Sequence, residues 1–307
     1  MSSAPDLAVQ IGPLRFPNPI MVASGTFGYG IEFADLIDVS RLGAIVTKSC
    51  TLAPRPGHEP PRVVETPAGL LNAIGLQNDG IEMFIQEKLP KVATLGAPVI
   101  VSIAGDTVGD FVEIVRRLAG RSGFVALELN VSCPNQERGG IEFGVDPESL
   151  ALVVSAVRSE TDLPLIVKLS PNVTDIVPLA ETALRSGAQI LSLINTVRGI
   201  AINPLTGRFR LANRTGGLSG PAIKPIALYH VWRAATELKA PIIGIGGAIA
   251  WQDALEFIYA GASAVQIGSG SYVQPTASIE ALDGLTAHLA ERKIATVTEL
   301  IGQAQPA

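Results

Sequence analysis

A short polar segment after a strongly apolar run contains the residue types best suited to chemistry. Asn130, Ser132, Cys133 and Asn135 bring two amides, a hydroxyl and a thiol together within one short stretch. The apolar run has the composition of a buried strand and Pro134 ends it, so the thiol is expected at the strand's carboxyl end. A thiol in that place can act as a base, whereas most free cysteines are small buried hydrophobes, and both interpretations of Cys133 stay open.

The stretch that follows, residues 136–145, contains Gly139, Gly140 and Gly144. Such a composition is typical of a loop that opens and closes. We therefore expect a lid over the thiol.

Two lysines, Lys48 and Lys168, end other apolar runs. A lysine at such a place can form a Schiff base, bind a carboxylate, or stabilise negative charge on a flavin ring. The structural alternative is an ion pair with Glu128 or Asp79. The two lysines alone do not decide between these uses.

Glycine follows two further apolar runs, at Gly246-Gly247 and at Gly268-Ser269. Glycine admits a ligand close to the backbone N–H groups, and the ends of the last strands of a parallel barrel are a common phosphate site. These glycines favour a phosphate site, although they could simply serve tight turns.

An amide-rich stretch, residues 72–78, could recognise a planar ring through paired hydrogen bonds from its Asn and Gln groups and backbone. An ordinary Asx turn would have the same composition, and the residues alone favour that interpretation.

The elements that must position these residues alternate regularly along the chain. Strand-like runs are predicted at residues 20–24, 44–48, 99–103, 125–131, 165–169, 190–194, 242–245 and 264–267. Helical patterns are predicted at residues 81–93, 108–119, 147–160, 175–186, 222–238, 251–259 and 278–292. Eight such strands predict an α/β protein with a TIM (β/α)8 barrel rather than its rival, a doubly wound open sheet, which would show an early Gly-x-Gly-x-x-Gly turn.

The predicted barrel has an N-terminal hairpin over residues 7–19 and long loops after strands 2, 4 and 6. No shift in composition suggests a second domain, so residues 1–307 are expected to form one barrel domain. The strand ends would then meet at one mouth that is polar and rich in glycine. Because burying these polar groups without partners is unfavourable, a polar ligand is expected there.

Composition excludes several other classes of function. The net charge is −5 and no run of Lys and Arg occurs, so nucleic acid is not an expected partner. The apolar runs are strand-sized and no secretory signal precedes them, so no membrane association is expected. The two cysteines cannot form a disulfide framework or an iron–sulfur site, and no metal site is predicted. We expect a soluble cytoplasmic protein.

A series of short motifs resembles the dihydroorotate dehydrogenase family. They are TKSCT (47–51), NAIGLQN (72–78), NVSCPN (130–135), VKLSPN (167–172), INT (194–196), LANRTGGLSGPAIKP (211–225), GIGG (244–247) and IGSG (267–270). The cysteine at the position of the base resembles the soluble class 1 enzymes, and NAIGLQN and NRTGGLSGPAIKP resemble the catalytic subunit of subgroup 1B.

The resemblance implies roles for individual residues. FMN would be bound by Ser24, Lys48, Ser49, Ser102, Asn130, Lys168, Ile194, Gly220, Gly246, Gly247, Gly268 and Ser269, the last four at its phosphate. Dihydroorotate would be bound by Lys48, Asn72, Ala73, Ile74, Gly75, Leu76, Asn130, Asn195 and Thr196. Cys133 would take the proton from C5 while a hydride passes from C6 to flavin N5, with Lys48 and Lys168 assisting. Ser102 departs from the family, which often has Asn there, so its flavin contact would be weaker.

The resemblance also implies a partner, because this chain has no dinucleotide fingerprint and no cysteine set for an iron–sulfur cluster. A second subunit would hold FAD and a 2Fe–2S cluster and pass electrons to NAD+. The expected assembly is a heterotetramer built on a homodimer of this chain.

Several alternatives stay open on the sequence. One is a class 1A enzyme that reduces fumarate without a partner, and another is a pyrimidine reductase like the barrel domain of dihydropyrimidine dehydrogenase. From other classes come a Schiff-base lyase using Lys48 or Lys168 and a non-catalytic barrel that binds a phosphorylated ligand.

Overall fold

The structure is a computed structural model that describes residues 4–132, 134–135 and 141–306. Its strands are β1 (Val9–Ile11), β2 (Leu14–Phe16), β3 (Ile20–Val22), β4 (Ala44–Val46), β5 (Val63–Thr66), β6 (Gly69–Asn72), β7 (Val99–Ile103), β8 (Ala126–Asn130), β9 (Pro134–Asn135), β10 (Ile141–Glu142), β11 (Leu165–Leu169), β12 (Ile190–Leu193), β13 (Val197–Ile200), β14 (Thr215–Ser219), β15 (Ile242–Ile245) and β16 (Ala264–Ile267). Its α-helices are α1 (Gly80–Met83), α2 (Leu89–Val92), α3 (Val108–Leu118), α4 (Pro147–Glu160), α5 (Val177–Arg185), α6 (Lys224–Leu238), α7 (Trp251–Tyr259), α8 (Gly270–Val273) and α9 (Ala277–Arg292).

Eight of these strands form a closed parallel barrel in the order β11-β12-β15-β16-β3-β4-β7-β8. The pair that closes it joins the last strand to the first, with Val265 opposite Ile20 and Ile267 opposite Val22. The barrel prediction is confirmed, and the observed strand ends differ from the predicted ones by at most two residues.

The outer helices bury one apolar stripe each against the barrel. In α3 the buried residues are Phe111, Ile114, Val115 and Leu118, the spacing of one helix face. The predicted start of α4 is confirmed as well, because Asp146 accepts the backbone N–H of Ser149 and Pro147 occupies the first turn.

The predicted helix over residues 81–93 is interrupted. Residues Phe84–Lys88 form a π-helical segment between α1 and α2. Pro90 lies in the first turn of α2 and has no N–H to donate. The Pro90 ring would also clash with the backbone carbonyl one helical turn earlier. The backbone avoids this clash by widening into the π-helical turn.

The N-terminal hairpin is confirmed: β1 and β2 pair antiparallel with Val9 opposite Phe16. A Cβ on Gly12, at its turn, would lie 3.1 Å from Ile190 at the start of β12. The hairpin therefore lies under the amino ends of the strands, opposite the mouth.

The long loops predicted after strands 2 and 6 of the barrel are confirmed, and they contain strands that were not predicted. They contain β5, β6, β13 and β14, which form one antiparallel sheet in the order β13-β14-β6-β5. Its small apolar core consists of Val64, Leu71, Ala73 and Leu211. The pairing of β6 with β14, which joins the two halves of this sheet, lies between segments distant in the chain and leaves no local signal.

Within the described residues, no helix combines the length and the apolar composition needed to cross a bilayer.

The contact between α7 and α9 yields a stability prediction. A Cβ at Gly284 would lie 2.2 Å from the Trp251 ring, so Gly284→Ala should lower the free energy of unfolding by about 1–3 kcal/mol, measured by urea denaturation. Gly109→Ala is the control, because its Cβ would meet nothing closer than 3.6 Å and should stabilise α3 by up to about 1 kcal/mol. Equal stability of Gly284→Ala and the wild type would contradict the tight packing of this contact.

Candidate active site

The carboxyl ends of the barrel strands and the four-stranded sheet enclose one large cavity of about 1050 Å³. Most of the predicted site residues line it: Ser24, Lys48, Ser49, Asn72, Ala73, Ile74, Gly75, Leu76, Asn130, Lys168, Ile194, Asn195, Thr196, Gly220, Gly246, Gly247, Gly268 and Ser269. Since these residues come from all parts of the chain, the convergence is a result of barrel closure.

Two predicted residues are not on the described cavity wall. Ser102 is fully buried behind Ser49, with their hydroxyl oxygens 2.9 Å apart. Cys133 lies outside the described residues, as do residues 136–140 of the predicted lid.

Lys168 is 6% exposed and Lys48 is mostly buried, yet within the described residues neither ammonium has a carboxylate at ion-pair distance. Glu128, a candidate partner, instead accepts hydrogen bonds from Ser192 at 3.0 Å and Gln266 at 3.5 Å. Burial lowers the pKa of Lys48, and the nearby Lys168 charge adds to this effect. Two desolvated ammonium groups that face no carboxylate among the described residues therefore favour an anionic ligand in the cavity.

A chain of hydrogen bonds crosses the ends of four strands. Ser49 contacts Ser24 at 3.1 Å as well as Ser102, and it accepts a bond from the Asn130 amide at 3.3 Å. The cavity floor is therefore held in place by polar side chains whose partners lie on neighbouring strands.

Asn172 was not predicted as a site residue, although it lines the cavity. Its amide donates to Ser170 at 3.0 Å and to the Thr196 carbonyl at 3.2 Å, and its carbonyl accepts the Arg198 N–H at 2.8 Å. It thereby ties the end of β11 to the start of β13. A sequence signal existed, because Asn172 is the third residue beyond a strand end.

The amide-rich stretch is folded by one of its own residues. Asn78 accepts the N–H groups of Thr51 and Gly80 and donates to the Leu76 carbonyl at 2.7 Å. His58 also lines the cavity, and its ring contacts the Ala73 carbonyl at 3.1 Å. The stretch therefore ends in an Asx turn at Asn78, and its residues 72–76 also form part of the cavity wall.

The glycine-rich side of the cavity has the shape of a cradle. Gly246 and Gly247 have φ angles of 135° and 80°, and a Cβ on Gly247 would lie 2.6 Å from the Gly220 carbonyl. A Cβ on Gly268 would meet no atom closer than 3.6 Å, so the missing side chain leaves open space.

In the described part of the chain, the N–H groups of Gly247, Gly268 and Ser269 donate to no protein acceptor. Such N–H groups fit a phosphate. The helix α8 has only four residues, so its dipole would contribute little to anion binding. The backbone N–H groups themselves would provide most of the attraction for a phosphate.

Among the described residues, no group of three or more His, Cys, Asp or Glu side chains could hold a metal ion.

Comparison with known proteins gives a consistent result. The family model described as dihydroorotate dehydrogenase matches residues 6–289. A protein of Geotalea uraniireducens is 52% identical over 97% of this chain and 98% of its own length. Proteins of Trichlorobacter lovleyi and Geobacter sulfurreducens are 53% and 50% identical, each over 97% of this chain and 98% of their own. All three are named dihydroorotate dehydrogenase B (NAD(+)), catalytic subunit.

An ion pair behind the glycine cradle yields a pH prediction. Lys224 contacts Asp253 at 2.7 Å, and Asp253 also accepts the N–H groups of Ile249 and Ala250 at 2.9 Å each. Burial raises the pKa of Asp253, but the hydrogen bonds from Ala250, Lys224 and Ile249 outweigh it and the pKa is lowered overall. A lowered carboxyl pKa stabilises the fold above the unfolded-state value, about 4, and this stabilisation is lost as the pH falls.

Asp253→Asn should therefore lower the free energy of unfolding by about 1–2 kcal/mol at pH 7, with a smaller difference from the wild type below about pH 4. Glu256→Gln is the control, because Glu256 contacts the same lysine but is largely exposed and should matter less. Chemical denaturation across this pH range measures both. If the loss of stability in Asp253→Asn did not change with pH, the lowered pKa of Asp253 would be contradicted.

Proposed function

The chain belongs to the dihydroorotate dehydrogenase family, and from this premise we propose that it oxidises (S)-dihydroorotate to orotate, a step of pyrimidine biosynthesis, as the FMN-containing catalytic subunit of an NAD+-linked enzyme. The observation that carries the proposal is the convergence of the predicted site residues, all but Ser102 and Cys133, on one cavity. We propose residues 1–307 as one FMN-binding barrel domain.

The cavity fits FMN on two grounds. The phosphate would accept the backbone N–H groups at Gly246, Gly247, Gly268 and Ser269, with open space for it beside Gly268. The ring would be bound by residues from the other side of the mouth, namely Ser24, Lys48, Ser49, Asn130, Lys168 and Ile194. When bound, FMN supplies the acceptor for the hydride that leaves C6 of the substrate.

The lysines suit an anionic substrate on an electron-accepting ring. Lys48 would hold the carboxylate of dihydroorotate, which supplies the negative charge that the cavity lacks. Lys168 would place a positive charge beside the ring, which favours its reduced form. The stretch from Asn72 to Leu76, with Asn130, Asn195 and Thr196, would surround the substrate.

Cys133 is proposed as the base that removes the proton from C5. Its support is its place in the chain, directly after Ser132, which lies on the cavity wall. For this task the thiol must be deprotonated and water must be kept out, and residues 136–145 are the proposed lid.

The relatives are named as catalytic subunits, so a separate partner subunit is expected for this chain as well. We propose that the partner holds FAD and a 2Fe–2S cluster and that the assembly is a heterotetramer built on a homodimer. Exposed apolar residues around β13 support a protein contact there, because Ile200, Ile202, Leu205 and Phe209 are 57%, 49%, 92% and 47% exposed.

The first experiment is anaerobic addition of dihydroorotate to the purified, FMN-loaded chain while the visible spectrum is recorded. The yellow flavin band should bleach within one turnover. NAD+ alone should restore it slowly or not at all, because its route lies through the partner. A yellow protein that does not bleach would contradict the substrate, and failure to bind FMN would contradict the cofactor.

Replacement of the proposed base is the second test. Cys133→Ser should keep FMN but lower the rate of flavin reduction at neutral pH by about 100-fold or more, because a hydroxyl is a much weaker base than a thiol. Cys50→Ala is the control: burial raises the pKa of the Cys50 thiol to about 12, so it is protonated and should be dispensable. Near-wild-type reduction by Cys133→Ser would remove Cys133 from the mechanism.

A further inference from the structure

We propose that Glu128 sets the electrostatic potential of the cavity from below, as a buried negative charge that offsets part of the positive charge of Lys168. It thereby lowers the reduction potential of bound FMN and weakens the binding of an anionic pyrimidine. The inference rests on the proposed function. Glu128 does not line the cavity, so it is a positioning residue for charge and touches neither ligand.

The place of Glu128 follows from the order of the strands in the barrel. Glu128 lies on β8 and accepts a hydrogen bond from Gln266 on β16 at 3.5 Å. These two strands are four places apart in a closed ring of eight, so their side chains can meet only across the interior. Both residues are fully buried. The carboxylate therefore lies near the barrel axis, beneath the floor of the cavity.

Lys168 lies one layer above this carboxylate. Strand pairing places Lys168 opposite Asn130 on β8 and opposite Ser192 on β12. Asn130 follows Glu128 by two residues, which puts it on the same face of β8 and about 7 Å farther along the strand towards the mouth. Ser192, beside Lys168, donates its hydroxyl to Glu128 at 3.0 Å. The lysine and the carboxylate thus share a neighbour without forming an ion pair.

The hydrogen bonds of Glu128 are those of a charged carboxylate. Its two partners, the Ser192 hydroxyl and the Gln266 amide, are both donors and both bind Oε2. In the described part of the chain Oε1 has no partner, so a proton on it would have no acceptor. Because no described cation lies beside this carboxylate and the barrel interior screens charge less than water does, its field reaches the cavity above.

A negative charge in this place opposes both events proposed for the cavity. Reduction adds negative charge to the flavin ring, which Lys168 favours and Glu128 disfavours. Orotate is an anion, so the same charge weakens its binding. A unit charge about 10 Å away inside a protein changes such an equilibrium by about tenfold. Glu128 therefore keeps the flavin potential and the orotate affinity below the values that the lysines alone would give.

Glu128→Gln tests the inference, because it removes the charge while it keeps the size of the side chain and an acceptor for Ser192. In the FMN-loaded protein the midpoint potential of the flavin, measured anaerobically against a reference dye, should rise by about 30 mV, a tenfold change in the equilibrium constant of two-electron reduction. Orotate affinity, measured from the change that orotate causes in the flavin spectrum, should also rise about tenfold. A purely structural role of Glu128 predicts the opposite, a loss of affinity.

Glu128→Asp is the matched control. It disturbs the same hydrogen bonds but keeps the charge, so neither the potential nor the orotate affinity should rise. If Glu128→Gln does not fold, the double variant Glu128→Met/Gln266→Met takes its place. It replaces the buried polar pair with apolar side chains of similar size, lacks the charge as well, and should show the same two increases.

The outcomes separate the possibilities. An unchanged potential and an unchanged orotate affinity in the variants without the charge would overturn the inference and leave the proposed function standing. Equal increases in Glu128→Asp would also overturn it, because the charge would then not be the cause. A wild-type protein that neither binds orotate nor bleaches with dihydroorotate would overturn the proposed function and the inference together.

Discussion

Closure of the barrel is the constraint on which the rest of the molecule depends. The pairing of β16 with β3 leaves no free edge among the eight central strands, so every strand must end at the same mouth. Closure places Gly268, after the last strand, near Ala23, after the first, since a Cβ on Gly268 would lie 3.6 Å from the Ala23 Cβ. The glycine cradle and the floor of polar side chains both follow from this one pairing.

The energetic problem created by this convergence is the burial of positive charge. Lys48 and Lys168 face one cavity, and Glu128, the buried carboxylate below them, is engaged by Ser192 and Gln266. Proteins rarely bury cations without anions, because desolvation is unfavourable unless a partner compensates for it. In the proposed complex the ligands would provide this compensation: a phosphate-bearing flavin and a carboxylate-bearing pyrimidine would supply negative charge. Binding and local electrostatic stability are therefore linked.

The accessory sheet of β5, β6, β13 and β14 gives the cavity its second wall. The barrel contributes charged and polar side chains from below, and the sheet contributes backbone and amide groups from Asn72 to Leu76 and from Gly216 and Gly217. A Cβ on Gly217 would lie 2.0 Å from the Thr196 hydroxyl, so the sheet lies directly against the end of β12. A two-walled cavity of this kind can enclose a flat ligand and exclude water, which proton removal from carbon requires.

The sequence alone determined the barrel and most of the site, because both depend on local patterns. Buried parallel strands are continuous apolar runs, and the polar residue that ends each run must lie at the mouth once the sheet closes, whatever the details of packing. That reasoning placed Lys48, Lys168 and the glycine pairs correctly on the cavity wall. The motif resemblance added the amide-rich stretch from Asn72 to Leu76, for which the residues alone favoured an ordinary Asx turn.

Only the tertiary structure decided the rest. The accessory sheet depends on pairing Asn72 with Gly217, and such distant pairing leaves no periodic signal in a strand of four or five residues. Ser49 and Ser102 read alike in the sequence, yet one lies on the cavity wall and the other is hidden behind it. Hydrogen-bond capacity is a property of residue type, but which capacity remains for a ligand is decided by the neighbours that folding brings together.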